Sequence, residues 1–211
     1  GTRGAAEAFS YYTRNYEELS RDTELRDFMR FYSDNFDKSS SQWSQDIFAL
    51  YASGEKQRGL FLEVGGADGF THSNTYSLEN HYGWQGILIE PDQSQFRLLK
   101  ASRPNNLLLN AAISPQDKDE TLNLRLVGQL SALEGHEGED MHHETRMNST
   151  RISKVKGISL SKILSENKFD YFSLDVEGAE STILKSIKWE CINKPSAITV
   201  EHNFREDDRM E

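Results

Sequence analysis

The chain has 211 residues, a net charge of −10, and 36% hydrophobic and 10% aromatic residues. This size fits one domain with a sizeable core, and the aromatic content is too high for a disordered chain. The acidic balance, without a dense run of Lys and Arg, argues against nucleic acid as a partner. No apolar run approaches the roughly 20 residues of a membrane-spanning helix, so we expect no membrane span. The single cysteine, Cys191, excludes an intrachain disulfide and predicts a reducing compartment, the cytoplasm.

The first quarter of the chain predicts helices. Residues 5–53 lack the alternation of a strand, and their aromatic and leucine residues recur at helical spacings among many charges. Ser44 is the expected N-cap of a helix over 45–51. We therefore expect an N-terminal helical cap over 1–53, packed on a core that spans 54–211.

The rest of the chain alternates between apolar runs and amphipathic segments. Strands are expected at 59–64, 86–90, 106–113, 170–175 and 197–201, an edge strand at 121–127, and helices at 74–82, 93–101, 159–167 and 181–187. Residues 128–156 are polar and without a clear period, as in a long loop that is functional or disordered. The alternation predicts an α/β fold with a mostly parallel sheet flanked by helices.

A glycine turn after the first apolar run is the strongest functional signal. It reads Glu-Val-Gly-Gly-Ala-Asp-Gly from Glu63 to Gly69, and Glu90 closes the next apolar run. Strand, glycine turn, helix, strand and acid is the layout that binds a nucleoside. The turn lacks the G-x-G-x-x-G of dinucleotide sites, and its carboxylates, Glu63 and Asp68, would repel a pyrophosphate. They favour a ligand that is cationic there, such as the sulfonium and ammonium of S-adenosylmethionine, with Glu90 accepting the ribose hydroxyls.

Two later strands also end in polar residues. Asp175 and Glu177 follow one apolar run, and Glu201 and His202 follow another. Each has an ordinary interpretation alone, as a helix cap or a solvated strand end. Since the carboxyl ends of parallel strands meet at one edge of the sheet, together they predict a single site.

Five segments in this order resemble the successive motifs of the FkbM family of S-adenosylmethionine-dependent methyltransferases: FLEVGGADG, GILIEPD, NAAIS, YFSLDVEGAE and ITVEHN. The resemblance covers about residues 43–204, and the runs 44–46 and 73–79 resemble the eukaryotic and large-virus branch. It implies the Rossmann-like class I methyltransferase fold and O-methylation of sugars, polyketides or other secondary metabolites. We expect the acceptor to be a sugar hydroxyl of a glycan or glycoconjugate, in the cytoplasm of the organism or of a viral host.

The resemblance also implies which residues bind the cofactor. Those expected around the methionine moiety, the ribose and the adenine are Glu63, Gly65, Gly66, Asp68, Gly69, Asn74, Glu90, Pro91, Ala111, Ala112 and Ser131. Asp175 and Glu177 would lie at the edge of the transferred methyl group. The chain departs from the family at Glu63, usually Asp, and at Ser173, often Lys. Any role of that lysine is therefore absent or relocated.

Methyl transfer to a hydroxyl needs a group that removes its proton. His202 can titrate near neutral pH, and Asp175, Glu177 and Glu201 are carboxylate candidates. The alternative is Mg²⁺ or Mn²⁺ held by Asp175, Glu201 and His202. In the loop over 128–156, Arg146 and Arg151 would contact an acidic or phosphorylated acceptor.

Two other functions remain open from the sequence. One is an NAD-dependent oxidoreductase or epimerase, against which the acids of the glycine turn argue. The other is a non-catalytic domain that keeps the methyltransferase fold, which the intact carboxylates disfavour. The sequence also leaves open whether the chain acts alone or as one domain of a larger glycan-assembly protein.

Overall fold

The computed structural model describes residues 22–136 and 142–201. The first 21 residues of the expected helical cap lie outside the described residues. Residues 137–141 of the predicted loop and the candidate base His202 also lie outside them.

Seven α-helices and nine strands make up the described part of the chain. The helices are α1 Thr23–Asn35, α2 Gln45–Ala52, α3 Tyr76–Tyr82, α4 Gln93–Ser102, α5 His143–Met147, α6 Leu160–Glu166 and α7 Glu180–Ser186. The strands are β1 Leu60–Val64, β2 Gln85–Ile89, β3 Leu107–Leu109, β4 Ala112–Ile113, β5 Glu120–Arg125, β6 Ala132–Leu133, β7 Ile152–Ile158, β8 Tyr171–Leu174 and β9 Ala197–Val200.

The main sheet has five strands in the order β3-β2-β1-β8-β9, and all four pairings are parallel. Its central strands are nearly continuous apolar runs, because a parallel sheet is covered by other elements on both faces. One apolar cluster includes Leu62 and Phe172, and a second includes Phe61 and Leu88. The prediction of an α/β fold with a mostly parallel sheet flanked by helices is confirmed.

A second sheet, of order β4-β7-β5-β6, was not predicted. The strand expected over 106–113 is divided, since β3 joins the main sheet and β4 pairs with β7. The expected edge strand over 121–127 is β5, which pairs on both sides. The loop expected over 128–156 contains β6, α5 and most of β7. β7 was not predicted because two residues of its more buried face are Ser153 and Gly157. Neither is a large apolar residue, so the sequence does not alternate between apolar and polar positions there.

The segment before the main sheet packs against it. Ala49 and Leu50 of α2 are buried in the same cluster as Phe61 and Trp84. Ser44 precedes α2 as expected, but its side chain makes no capping hydrogen bond and its φ is 62°. The division into a cap and a core stays a prediction.

The structure offers no candidate for a membrane-spanning helix. Within residues 22–136 and 142–201, every helix is too short or too polar to cross a bilayer. This finding agrees with the absence of a long apolar run in the sequence.

Candidate functional site

A cavity of about 720 Å³ opens at the carboxyl edge of the main sheet. Small-molecule sites typically have about 300–1,000 Å³, so the volume suits a cofactor. The predicted site residues that line it are Glu63, Gly65, Gly66, Asn74, Glu90, Pro91, Ala111, Ala112, Ser131, Asp175, Glu177 and Glu201. The structure thus brings together residues from 63 to 201 around one space.

The glycine turn after β1 is held between two neighbouring strands. The N–H groups of Gly65 and Gly66 both donate to the carbonyl oxygen of Ile89, at 3.0 Å. Gly65 has a φ of +87°, and a Cβ on it would lie 1.7 Å from the carbonyl oxygen of Asp175. Because no side chain fits there, the turn can approach the end of β8 only with glycine at this position.

Glu90 lies immediately after β2, buried at the cavity wall. Its Oε2 accepts from the N–H of Ala67 at 2.9 Å, and its Oε1 accepts from the N–H of Asp92 at 2.7 Å. Burial raises the pKa of Glu90 to about 7, and the charge of Asp92 adds to the shift. Each oxygen can accept one further hydrogen bond, which suits a vicinal diol such as that of a ribose.

Glu63, at the fourth position of β1, fixes the segment that follows the glycine turn. Its carboxylate accepts from Ser73 Oγ at 3.1 Å, the Asn74 N–H at 2.8 Å and Thr75 Oγ1 at 2.5 Å. Burial raises the pKa of Glu63, whereas Arg103 acts to lower it. The carboxylate is therefore a structural anchor of the cavity wall, whatever contact it also makes with a ligand.

Arg103, which was not predicted from the sequence, supplies the buried positive charge beside Glu63. Its Nη1 lies 3.8 Å from Glu63 Oε2, and its Nε donates to the carboxylate of Glu79. Ser173, which the sequence predicted as a departure from the family motif, is the direct partner of Glu63 in the pairing of β1 with β8. The buried cation next to Glu63 belongs to Arg103, the residue after α4.

Asn74 presents an unsatisfied acceptor at the cavity wall. Its Nδ2 donates to Ser173 Oγ at 2.8 Å, but its buried Oδ1 has no partner among the described residues. Only 6% of Asn74 is exposed, so water does not readily replace the missing donor. An unsatisfied buried acceptor costs about 1–3 kcal/mol, and because this oxygen is buried the cost falls on the fold of the cavity wall.

Asp68 and Gly69 do not line the cavity. Partial burial acts to raise the pKa of Asp68, but hydrogen bonds from Thr71 and Phe70 outweigh it and lower the pKa. Gly69 has a φ of +76°, and the space where its Cβ would lie is filled by Leu99 of α4. Both residues shape the turn, and their contact with a cofactor stays a prediction.

Three carboxyl groups gather where β8 and β9 end. One oxygen of each of Asp175, Glu177 and Glu201 lies within 4.8 Å of the others. Burial raises the pKa of Asp175 to about 7, its hydrogen bond with Glu201 opposes this, and the charge of Glu177 adds to it. A hydrogen bond between two carboxyl groups needs a proton on one of them, and the raised pKa of Asp175 favours such a proton near neutral pH. These three residues could also hold a divalent cation.

The predicted contact of Arg146 with an acceptor is wrong. Its guanidinium is fully buried on α5, donates to the carboxylate of Glu177, and donates from Nε to the Leu130 carbonyl at 3.1 Å. Its charge therefore neutralises Glu177 from behind the cavity wall.

Several cavity residues were not predicted from the sequence. They are Gln42, Trp43, Thr71, His72, Gln129 and His142. His72 has a left-handed φ of 58°, which places a histidine at the rim directly after the glycine turn. The helix expected from residue 74 starts only at Tyr76, so these turn residues had no detectable pattern.

The charged side chains in the described wall of the cavity are acidic. Five carboxyl side chains line the cavity, and among its described lining residues there is no Lys or Arg. Arg103 lies behind Glu63 and Arg146 behind Glu177, so the remaining carboxyl groups, when ionised, favour a cationic ligand over a pyrophosphate.

A parallel doubly wound sheet, with a glycine turn after its first strand and an acid after its second, defines a Rossmann-like domain. The sequence model of the Methyltransferase FkbM domain matches residues 63–211. The chain therefore belongs to the FkbM methyltransferase family, as the motifs predicted, while the branch stays a prediction. No curated protein and no solved structure gives a significant match to the chain.

Proposed function

We propose that this methyltransferase is S-adenosylmethionine-dependent and methylates a sugar hydroxyl of a glycan or glycoconjugate. The observation that carries the proposal is the cavity wall, which has five carboxyl side chains and, among its described lining residues, no Lys or Arg. A sulfonium and an ammonium group are complementary to this wall, and a dinucleotide pyrophosphate is not.

The order of the strands orients the cofactor. Glu90, after β2, would hold the ribose hydroxyls through its two carboxylate oxygens. Ala111, Ala112 and Ser131, whose side chains are small, would hold the purine. Glu63, Gly65 and Asn74 would hold the methionine moiety. When bound, S-adenosylmethionine supplies a methyl group on a positively charged sulfur.

Asp175 is the proposed general base. A base works best when its pKa lies near the working pH, and burial brings the pKa of Asp175 to about 7. Glu201 orients it through the hydrogen bond between the two carboxyl groups. Glu177 is held by Arg146, so its role is to set the local charge. His202 remains the alternative base proposed from the sequence.

A divalent cation is the other way to relieve the charge of the carboxyl pair. Mg²⁺ or Mn²⁺ on Asp175, Glu177 and Glu201 would lower the pKa of the acceptor hydroxyl by direct coordination. Because Arg146 already neutralises Glu177, we favour the shared proton.

We place the reaction in the cytoplasm, since the one cysteine, Cys191, is an exposed free thiol. The glycan acceptor fits a chain that acts alone or within a larger glycan-assembly protein.

Calorimetric titration tests the cofactor. Micromolar binding of S-adenosylhomocysteine, without binding of NAD, supports the proposal. Binding of NAD alone would point to an oxidoreductase or epimerase, and binding of neither would point to a non-catalytic domain. The acceptor is then found by transfer of a tritiated methyl group to a panel of nucleotide sugars and oligosaccharides.

A further inference from the structure

The glycine turn contains a strained residue, Ala67, that is held from outside the turn. Ala67 lines the cavity with a left-handed φ of 43°, although it has a side chain. A non-glycine residue keeps such a conformation only where its surroundings fix it, and strain of this kind is concentrated at functional sites. The N–H of Ala67 donates to Glu90 Oε2 at 2.9 Å. This bond fixes one side of Ala67, so the other side needs a contact of its own.

Ser102, the last residue of α4, supplies a contact on the other side of Ala67. Its Oγ lies 2.6 Å from the carbonyl oxygen of Asp68 and 3.2 Å from that of Leu99 in α4. A hydroxyl group donates one hydrogen, so the shorter distance marks Asp68 as the principal acceptor. The bond therefore fixes the peptide group that joins Asp68 to Gly69.

Gly69 is seated on the same end of α4. A Cβ on Gly69 would lie 2.6 Å from Ser102 Oγ and 2.7 Å from Arg103 Cγ. Arg103 Nη1 also donates to the carbonyl oxygen of Gly69, at 3.1 Å. Two consecutive carbonyl groups of the glycine turn, those of Asp68 and Gly69, thus accept from two consecutive side chains at the end of α4.

The position of Asp68 is transmitted to the cavity wall by its own side chain. Its Oδ1 accepts from the N–H groups of Phe70 at 2.9 Å and Thr71 at 2.7 Å. Its Oδ2 accepts from Thr71 Oγ1 at 2.7 Å. Ala67 and Thr71, on either side of Asp68 in the sequence, line the cavity, and Ser102 is not among the lining residues. A shift of Asp68 would therefore move two parts of the wall.

We infer that Ser102 is a positioning residue for cofactor binding, whose hydroxyl holds the glycine turn in the conformation that receives the cofactor. The inference rests on the proposed function, because that function places the cofactor against the glycine turn. Ser102 is exposed, whereas Arg103 is fully buried beside carboxylates. Substitution of Ser102 therefore disturbs the turn without leaving a buried charge unpaired.

The first test measures the affinity of the full chain for S-adenosylhomocysteine in Ser102→Ala by calorimetric titration. Without the bond from Ser102 the turn samples other conformations, and binding must order it again. We expect the dissociation constant to rise by about threefold to tenfold, the effect of one hydrogen bond. Ser102→Thr keeps the hydroxyl group and should bind within about twofold of the wild type.

Hydrogen exchange in the unliganded chain measures the order of the turn without a cofactor. The N–H of Gly69 donates to the Gly66 carbonyl oxygen at 2.8 Å, and those of Phe70 and Thr71 donate to Asp68. These three amides should exchange at least about threefold faster in Ser102→Ala than in the wild type, and at the wild-type rate in Ser102→Thr.

Ser165→Ala is the matched control. Ser165 is an exposed serine of α6, and its Oγ donates to the Lys162 carbonyl oxygen at 2.9 Å, far along the chain from the glycine turn. Its substitution should change neither the affinity for S-adenosylhomocysteine nor the exchange of the turn amides. Both alanine variants lose one hydrogen bond, so their melting temperatures should agree within about 3 °C.

The outcomes separate this inference from the proposed function. An unchanged affinity or unchanged exchange in Ser102→Ala overturns the inference, as does a loss of affinity that Ser102→Thr fails to restore or that Ser165→Ala reproduces. Failure of the wild type to bind S-adenosylhomocysteine overturns the proposed function instead. Faster exchange in Ser102→Ala would then still support the positioning of the turn by Ser102, and unchanged exchange would overturn it.

Discussion

The backbones of Gly65 and Asp175 approach each other closely in the wall of the cavity. A Cβ on Gly65 would lie 1.7 Å from the Asp175 carbonyl oxygen. Gly65 opens the turn that receives the cofactor, and Asp175 ends the strand that carries the proposed base. Because their backbones touch, the two halves of the site cannot shift independently.

Gly65→Ala should therefore lose affinity for S-adenosylhomocysteine by more than about tenfold and lower the melting temperature. The matched control is Gly54→Ala, since Gly54 has a φ of +68° and no atom within 4 Å of the added Cβ. Gly54→Ala should cost only roughly 1 kcal/mol, because alanine is disfavoured in the left-handed backbone conformation. Equal effects of the two substitutions, in calorimetric titration and thermal unfolding, would contradict the close approach.

Glu90 should make cofactor binding depend on pH. Its pKa lies at about 7, and only the ionised carboxylate can accept both ribose hydroxyls. The affinity for S-adenosylhomocysteine should therefore fall about tenfold between roughly pH 8 and pH 6. Glu90→Gln should bind more weakly, with that pH dependence removed, and an unchanged slope in this variant would argue against the assignment.

The raised pKa of Glu90 also predicts that the free energy of unfolding depends on pH. Burial raises the folded pKa of Glu90 above its ordinary value of 4.5, so its stabilising contribution is present below 4.5 and lost as the pH rises to about 7. Relative to Glu90→Gln, the wild type should lose free energy of unfolding across that range. Urea unfolding at several pH values measures the difference.

Arg103 should be essential for stability rather than for chemistry. Its guanidinium is fully buried beside Glu63 and Glu79, so Arg103→Met leaves two carboxylates without their cation. Removing one partner of a buried pair typically costs about 3–5 kcal/mol, and we expect a loss of that size in urea unfolding.

The double variant Arg103→Met with Glu63→Gln should recover part of this loss. Arg26→Met is the surface control, since Arg26 is exposed, and should leave the free energy of unfolding unchanged within about 0.5 kcal/mol. A loss in Arg103→Met as small as that of the control would refute the structural role.

Removal of metal ions distinguishes the two ways of neutralising Asp175 and Glu201. If the pair shares a proton, exhaustive EDTA treatment should leave the rate of methyl transfer unchanged. A rate that falls with EDTA and returns with Mg²⁺ or Mn²⁺ would show that a cation binds the acidic cluster instead.

The main sheet could be predicted because its strands are apolar runs that end in Gly or acidic residues. The turn at Gly65 and the acid at Glu90 are adjacent in the sequence to the strands they follow, so the pattern located them. The second sheet could not be predicted, since β7 directs Ser153 and Gly157 inward. Its stability comes from pairing with β5, which no local pattern records.

The unpredicted site residues share a physical cause. Arg103 was not predicted and Arg146 was given the wrong role, because both look like surface residues in the sequence and only the fold brings carboxylates to them. Trp43 precedes a helix in a segment expected to be part of a cap, and its place in the cavity depends on hydrogen bonds to residues about thirty positions later.

The central claim is that Asp175 removes a proton from an acceptor bound opposite the cofactor. The most direct test measures methyl transfer and S-adenosylhomocysteine affinity together in wild type and in Asp175→Asn. If Asp175 is the base, kcat should fall about a hundredfold or more in Asp175→Asn, with the affinity for S-adenosylhomocysteine changed less than about threefold. Methyl transfer at the wild-type rate in Asp175→Asn would contradict it.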